Sequence, residues 1–362
     1  MITRINIEGY KSIKSMDLAL GPINILLGAN GVGKSNFVSV FSLVKNIHRQ
    51  NFQNFVLSKG GADGLLHFGK KKTQLIKLEI EFTNSDSNKN RFYIELGVIQ
   101  NTLFINTLKT AFLSKSTWHY KEFDSNTMET VFADVAFSQA HYVNQRLREF
   151  EVYHFHDTSD TSPMKGISNI NDNFRLKPDA SNLAAYLYLL KIKHPKHFQR
   201  IEKMVQTIAP FFERFILEPD RLNTNNIQLE WREKGQPEGY FNAYHLSDGT
   251  LRFICLATLL MQPEPPATII IDEPELGLHP VAINKLAAMV RAASEKSQVI
   301  LSTQSVNLLD NFSPEDIIVT NRTTEGSTFE RLHDEDFTEW LQEYTLGDLW
   351  GQNKFGAQPY SV

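Results

Sequence analysis

Gly28-Ala29-Asn30-Gly31-Val32-Gly33-Lys34-Ser35 fits the pattern G-x-x-x-x-G-K-[ST], and it lies between an apolar run, Ile23–Leu27, and a helix-like segment starting near Asn36. Strand, glycine loop and helix in that order make a cradle for a polyphosphate. Glycines at 28, 31 and 33 have no Cβ to block positive φ values or a close approach, so backbone N–H groups can turn inward around the anion. Lys34 then places a point charge on the β- and γ-phosphates, Ser35 offers a hydroxyl to Mg²⁺, and the helix start adds its partial positive charge. Asn30, Gly31, Val32, Gly33, Lys34, Ser35 and Asn36 are the candidate nucleotide contacts. The competing reading is a glycine-rich turn that binds nothing.

With 362 residues, 41% of them hydrophobic and 22% charged, the chain can bury one large core or two smaller ones without disulfides or structural metals. Its formal net charge of -4 excludes a surface that is basic throughout, so a DNA contact needs a local basic patch or one created by assembly. The lone cysteine, Cys255, excludes an internal disulfide, and its apolar neighbours in 251–257 make it a buried small hydrophobe rather than a reactive thiol. No apolar run approaches a membrane span, and residues 1–5 have neither the charged region nor the apolar block of a secretory signal. A cytoplasmic location is expected.

Met16, Leu18 and Leu20 alternate with polar or small residues, so the first half-sheet is expected to hold an amphipathic strand followed by the buried one at Ile23–Leu27. Phe37, Val40, Phe41, Val44 and Ile47 recur at helical spacing. Near the other end, Thr268-Ile269-Ile270-Ile271 and Val299-Ile300-Leu301 flank a helix that begins around Pro280 and buries Ile283, Leu286, Ala287 and Val290, a parallel βαβ unit. Between these ends the pattern changes. Ile76 to Phe82 and Phe92 to Val98 alternate around a polar turn at 83–90, an antiparallel hairpin that 103–123 can extend. From about 130 to 215 the pattern is mainly helical, with Asp179 or Ser181 as the cap before Leu183. The expected architecture is an α/β P-loop NTPase with a mixed sheet, an antiparallel β lobe and an inserted helical lobe. Its core is discontinuous (1–84 plus 241–325), with a β extension at 85–128, a helical insertion at 129–240 and a C-terminal segment at 326–362.

Ile269-Ile270-Ile271-Asp272-Glu273-Pro274 carries a buried strand to its carboxyl end, where ligand crevices open in α/β sheets. Asp272 is placed to hold Mg²⁺ together with Ser35, and Glu273 to orient and deprotonate the attacking water. With the glycine loop expected on a neighbouring strand, the pair points to an ATPase. Leu246-Ser247-Asp248-Gly249-Thr250 supplies a second anion site, because Ser247 can cap the helix that follows and Gly249 leaves its backbone open.

This last stretch resembles the L-S-G-G-Q signature of ABC-class ATPases, in which the signature helix of one subunit closes on the γ-phosphate held by the other. Asp272-Glu273-Pro274-Glu275-Leu276-Gly277-Leu278-His279-Pro280 and Leu301-Ser302-Thr303-Gln304-Ser305 resemble the Walker B, D-loop and switch segments of RecF/SMC-like ATPases of the AAA_21 type, including the ATPase part of OLD-family proteins. Ile7-Glu8-Gly9-Tyr10-Lys11-Ser12 and the 60–67 segment are similar to the same group. The resemblance covers the first 82 residues and 244–322. It implies ATP and Mg²⁺ as ligands, an ATP-driven homodimer with Ser247 and Gly249 acting in trans, and catalytic roles for Glu273 and Gln304. Two residues depart from the pattern. Asp248 replaces a small signature residue and is expected to cap the helix, to point away from phosphate, or to pair with Arg252. Gln304 stands where many relatives have a switch histidine and offers no positive charge, so slow turnover is expected.

The function expected is therefore an ATP-hydrolysing dimerisation switch acting in DNA repair or anti-phage defence, through DNA or a partner effector such as a nuclease or toxin, with no membrane partner. About forty residues follow the core, too few for the nuclease domain that OLD-type proteins append. A transporter-type ATPase subunit and a nucleotide-sensing scaffold with negligible hydrolysis are the alternatives. Weaker signals default to structural roles. These are His154 and His156 as a metal pair without further ligands, the Lys70-Lys71-Lys72 run, the basic stretch at 191–197, and an aromatic C-terminal segment (Trp340, Leu341, Tyr344, Leu349, Trp350) packing on the core or docking a partner. Asn284-Lys285-Leu286-Ala287 lacks the aspartate of a guanine-reading sequence.

Overall fold

Short apolar strands that are buried on both faces need a layer on each side, and two layers surround the central sheet here. The computed structural model describes residues 1–83, 88–135, 138–236 and 239–358, so residues 84–87 of the turn expected at 83–90 lie outside the described residues. The central six-stranded sheet runs in the order Gly326–Arg331, Ile317–Thr323, Ile23–Leu27, Gln298–Thr303, Thr268–Asp272, Glu151–Tyr153; all neighbours are parallel except the first hairpin. Successive side chains of a strand point to opposite faces, and the burial follows that rule. Leu26, Ile270, Ile300 and Ile318 face one core, whereas Ile25, Leu27, Ile269, Ile271, Val299, Leu301, Ile317 and Val319 face the other.

On the first face lies the helix Lys34–His48, which buries Phe37, Val40, Phe41, Val44 and Ile47 as its spacing predicts. Its far side meets a second, antiparallel six-stranded sheet in the order Ile13–Ala19, Ile2–Tyr10, Leu75–Thr83, Lys89–Ile99, Thr102–Ser114, Thr117–Thr127. On the second face lie the helices Asp248–Met261 and Pro280–Ser294, and beyond them Leu183–Lys193 and Pro195–Ile208 of the insertion. The insertion also holds a three-stranded sheet, and it returns one strand, Glu151–Tyr153, to the edge of the central sheet.

Three expectations need correction. The amphipathic strand Ile13–Ala19 belongs to the antiparallel sheet, not to the sheet of Ile23–Leu27, because its backbone pairs along its length with Ile2–Tyr10, while its buried face (Met16, Leu18) lies in the core between the two sheets. The glycine-loop strand does not neighbour the acidic strand, since Gln298–Thr303 pairs with both and lies between them. The residue at the cap position of Leu183–Lys193 is Asn182, not Asp179 or Ser181; its buried side chain accepts from the Lys177 N–H at 2.9 Å and donates to the Asp172 and Arg175 carbonyls, fixing the loop that leads into the helix.

Candidate nucleotide-binding site

Because the central strands are parallel, the loops after Leu27, Asp272, Thr303 and Tyr153 all leave the sheet at one end. The glycine loop is braced from outside. Gly33 adopts φ +121°, and a Cβ there would stand 2.2 Å from Ser327 Oγ, so only glycine fits. The Ser327 hydroxyl donates to the Val32 carbonyl at 2.5 Å and stands in a hydrogen bond with the Ser12 hydroxyl at 2.7 Å, and Ser12 Oγ also accepts from Asn36 Nδ2 at 2.7 Å. Lys34, 5% exposed, donates to the Gly28 and Ala29 carbonyls at 2.6 and 2.9 Å. An ammonium has three protons, which leaves one for a phosphate oxygen. Burial lowers the Lys34 pKa, while the carboxylates of Glu273, Asp272 and Glu275 oppose the shift, so the loop lysine and the acids share one electrostatic site.

The acids are fixed by the intervening strand. Asp272 accepts a hydrogen bond from the Ser302 hydroxyl. Glu273 has φ +43°, an uncommon conformation for a residue with a Cβ, and its N–H is tied to the Ser302 carbonyl at 2.9 Å. Gln304 Nε2 donates to Glu273 Oε1 at 2.9 Å and to Asn30 Oδ1 at 3.0 Å, joining the acid strand, the switch strand and the glycine loop through one amide. Glu275, 9% exposed, accepts from Thr303 Oγ1 at 2.5 Å and from the Gln304 N–H at 3.3 Å.

The signature stretch is organised differently. Ser247 caps the helix Asp248–Met261, its Oγ accepting from the Thr250 N–H at 3.3 Å. A Cβ on Gly249 would stand 2.5 Å from the Gly277 carbonyl, so the helix start rests directly on the D-loop backbone. Arg252 commits its guanidinium to the Leu276, His156 and Phe155 carbonyls at 2.7, 2.8 and 3.1 Å. Among the described residues it forms no ion pair with Asp248, so the pairing suggested by the sequence is not made; Asp248 stands exposed in the first helical turn. Neither Ser247 nor Gly249 hydrogen-bonds the glycine loop among the described residues.

The donor set suits a Mg²⁺-nucleotide. Ser35 is exposed at the helix start, and the single oxygen of Asp272 that Ser302 binds leaves the other available. Spacing alone does not single out Ser302, Ser12, Ser327 or Glu275. Ser12, Glu275 and Ser302 lie inside family-like stretches, but Ser327 is 295 residues from its partner Val32 and carries no local signal. His154 and His156 follow the edge strand at the same end of the sheet, their rings 6.2 Å apart, and His156 lines a small crevice with Asp272 and Glu273. Among the described residues no cluster of three or more His, Cys, Asp or Glu could hold a metal ion. Cys255 is fully buried, and burial pushes its thiol pKa up. Lys71, Lys72, Lys191, Lys193 and Lys196 are exposed. Leu349 and Trp350 are buried in the core, whereas Trp340, Leu341 and Tyr344 are exposed. No helix among the described residues is long and apolar enough to cross a membrane.

A family model described as "AAA domain, putative AbiEii toxin, Type IV TA system" matches residues 23–310. Among solved structures, the SMC head bound to the C-winged helix domain of ScpA superposes with a TM-score of 0.62 at 15% identity, covering 93% of this chain and 99% of that one. The SMC head with an extended coiled coil, bound to the C-terminal domain of ScpA from Pyrococcus furiosus, gives 0.57 at 14% identity over 94% and 98%. Such identities establish a shared fold. No curated protein sequence matches the chain. With the family model spanning most of its length, the chain belongs to the AAA_21 family, and it shares the fold of SMC heads.

Proposed function

We propose that this protein is an ATP-hydrolysing dimerisation switch. The observation that carries the reading is the Gln304 amide, which bridges Glu273 and Asn30. It holds a general base and a loop residue in fixed relation on the side where a γ-phosphate would project. In this reading residues 30–36 wrap the triphosphate, and Lys34 donates its remaining proton to one phosphate oxygen while its charge serves both the β- and γ-phosphates. Ser35 and Asp272 would hold Mg²⁺, which would supply positive charge beside the phosphate oxygens. Glu273 takes the proton of the attacking water while Gln304 orients it.

The second half of the proposal concerns assembly. Ser247 and Gly249 form a helix start that makes no hydrogen bond to the glycine loop among the described residues, and exposed Leu276 lies in the D-loop on which Gly249 rests. Closure of this surface on the triphosphate of a second copy completes both sites, and hydrolysis releases them. The family's description as a toxin of a type IV system supports a defence output through an effector. The ScpA domains bound to the SMC heads support a docked protein partner.

Phosphate release tests the chemistry. The parent should release phosphate from Mg-ATP, Lys34→Ala should lose nucleotide binding, and Glu273→Gln should keep binding while losing release. Undiminished release by Glu273→Gln would contradict the assigned base.

A further inference from the structure

The hydrolytic reading accounts for Glu273 and Gln304 but leaves the neighbouring carboxyl unexplained. Glu275 is buried, yet its Oε2 has no hydrogen-bond partner among the described residues. A buried acceptor without a donor costs stability, and an apolar side chain at 275 would avoid that cost. Its other oxygen takes part in a continuous chain. The Ser305 N–H donates to Thr303 Oγ1 at 2.9 Å, the Thr303 hydroxyl donates to Glu275 Oε1 at 2.5 Å, and the Gln304 N–H donates to the same oxygen at 3.3 Å. Ser305 in turn caps the short helix Val306–Leu309, so the chain sets the whole turn after the switch strand. Burial raises the Glu275 pKa, with the Thr303 hydrogen bond opposing it.

Glu275 also opens the D-loop. Its carbonyl accepts from the Leu278 N–H at 2.9 Å, and the segment it closes carries Leu276, whose carbonyl receives Arg252, and Gly277, which lies under Gly249. One residue therefore has its side chain on the switch turn and its backbone in the loop beneath the signature helix.

We infer that Glu275 is a positioning residue of the ATPase site, fixing the Gln304 turn to the D-loop and so holding the Gln304 amide on Glu273. The inference rests on the proposed ATPase reading. Glu275 touches no reacting atom in this account; it acts through Thr303 and Gln304. Its loss should lower turnover and leave nucleotide affinity nearly unchanged, because the glycine loop is braced separately by Ser12 and Ser327.

The test compares full-length parent, Glu275→Leu, Thr303→Val and Thr303→Ser. Fluorescent ATP-analogue binding, single-turnover hydrolysis and amide hydrogen exchange across 303–309 are the readouts. Glu275→Leu and Thr303→Val should each cut turnover about tenfold or more with affinity within about threefold, and Thr303→Ser should recover most of the rate. Amides at 303–305 should exchange faster in both impaired variants, with or without nucleotide. Thr303→Val nearly preserves volume, so it decides the matter if Glu275→Leu does not fold. Turnover within about twofold of the parent in Thr303→Val, or equal impairment in Thr303→Ser, would overturn the inference. If the parent itself releases no phosphate, the ATPase reading fails; exchange at 303–305 then still decides the Glu275 link, and unchanged protection would refute it.

Discussion

The two halves of the site are built in opposite ways. On the glycine-loop side, Lys34 is held by carbonyls of its own loop, whereas Asp272, Glu273 and Gln304 are held by hydrogen bonds to other segments, 30, 31 and 274 residues away in sequence. On the signature side, Ser247 bonds only within its own first turn, Asp248 is exposed, and Gly249 contributes bare backbone against Gly277. One half is bonded across segments within the chain, whereas the other leaves Ser247 and Asp248 exposed at the helix start. The difference teaches where to divide the chemistry. In the proposed mechanism, binding and the general base belong to the networked half, and closure, supplied by a second copy, belongs to the open half.

Variants confined to one half can break or sharpen that division. The largest effect is expected from Glu273→Gln, which should reduce single-turnover hydrolysis by about 10²–10⁴-fold while nucleotide still binds, as measured by phosphate release beside equilibrium titration. Next comes Gly249→Val. Its new Cβ would press on the Gly277 carbonyl, and we expect a loss of about 10- to 100-fold in hydrolysis together with loss of dimer, with monomer affinity for ATP unchanged. Equal loss of monomer affinity would show that the halves are not separable.

Smaller effects probe the two residues that depart from the family pattern. Gln304→His adds a donor that can carry positive charge, and single-turnover hydrolysis should rise about fivefold; an equal or slower rate would remove the idea that the amide limits turnover. Asp248→Asn removes an exposed negative charge from the first turn of a helix offered to phosphate. ATP-driven dimerisation should tighten by about threefold, read by sedimentation across protein concentration, and no change would place Asp248 away from the incoming anion.

Much of the fold was legible because it rests on periodicity. The five apolar positions of Lys34–His48 and the three-residue runs at 269–271 and 299–301 announce a helix and buried strands by spacing alone. What the pattern could not convey was strand order. Thr268–Asp272 and Ile23–Leu27 both read as buried parallel strands, and nothing local says that Gln298–Thr303 separates them. Placement of the candidate site was legible to the same depth. Residue types at fixed spacing mark Lys34, Ser35, Asp272 and Glu273 as candidates, since these are the groups that polyphosphate chemistry uses. The bracing residues Ser302, Ser12 and Ser327 are ordinary serines whose importance arises only from contacts between distant segments. Asn182 shows the same limit on a smaller scale, because Asp179 and Ser181 are equally good caps until tertiary bonds select one position.

The central claim is that a second copy completes the nucleotide site. Light scattering after size exclusion of Glu273→Gln, with and without Mg-ATP, tests it most directly. The account predicts a monomer without nucleotide and a dimer with it, and predicts that Gly249→Val introduced into the same background stays monomeric. A Glu273→Gln protein that binds ATP yet remains monomeric at high concentration would contradict it.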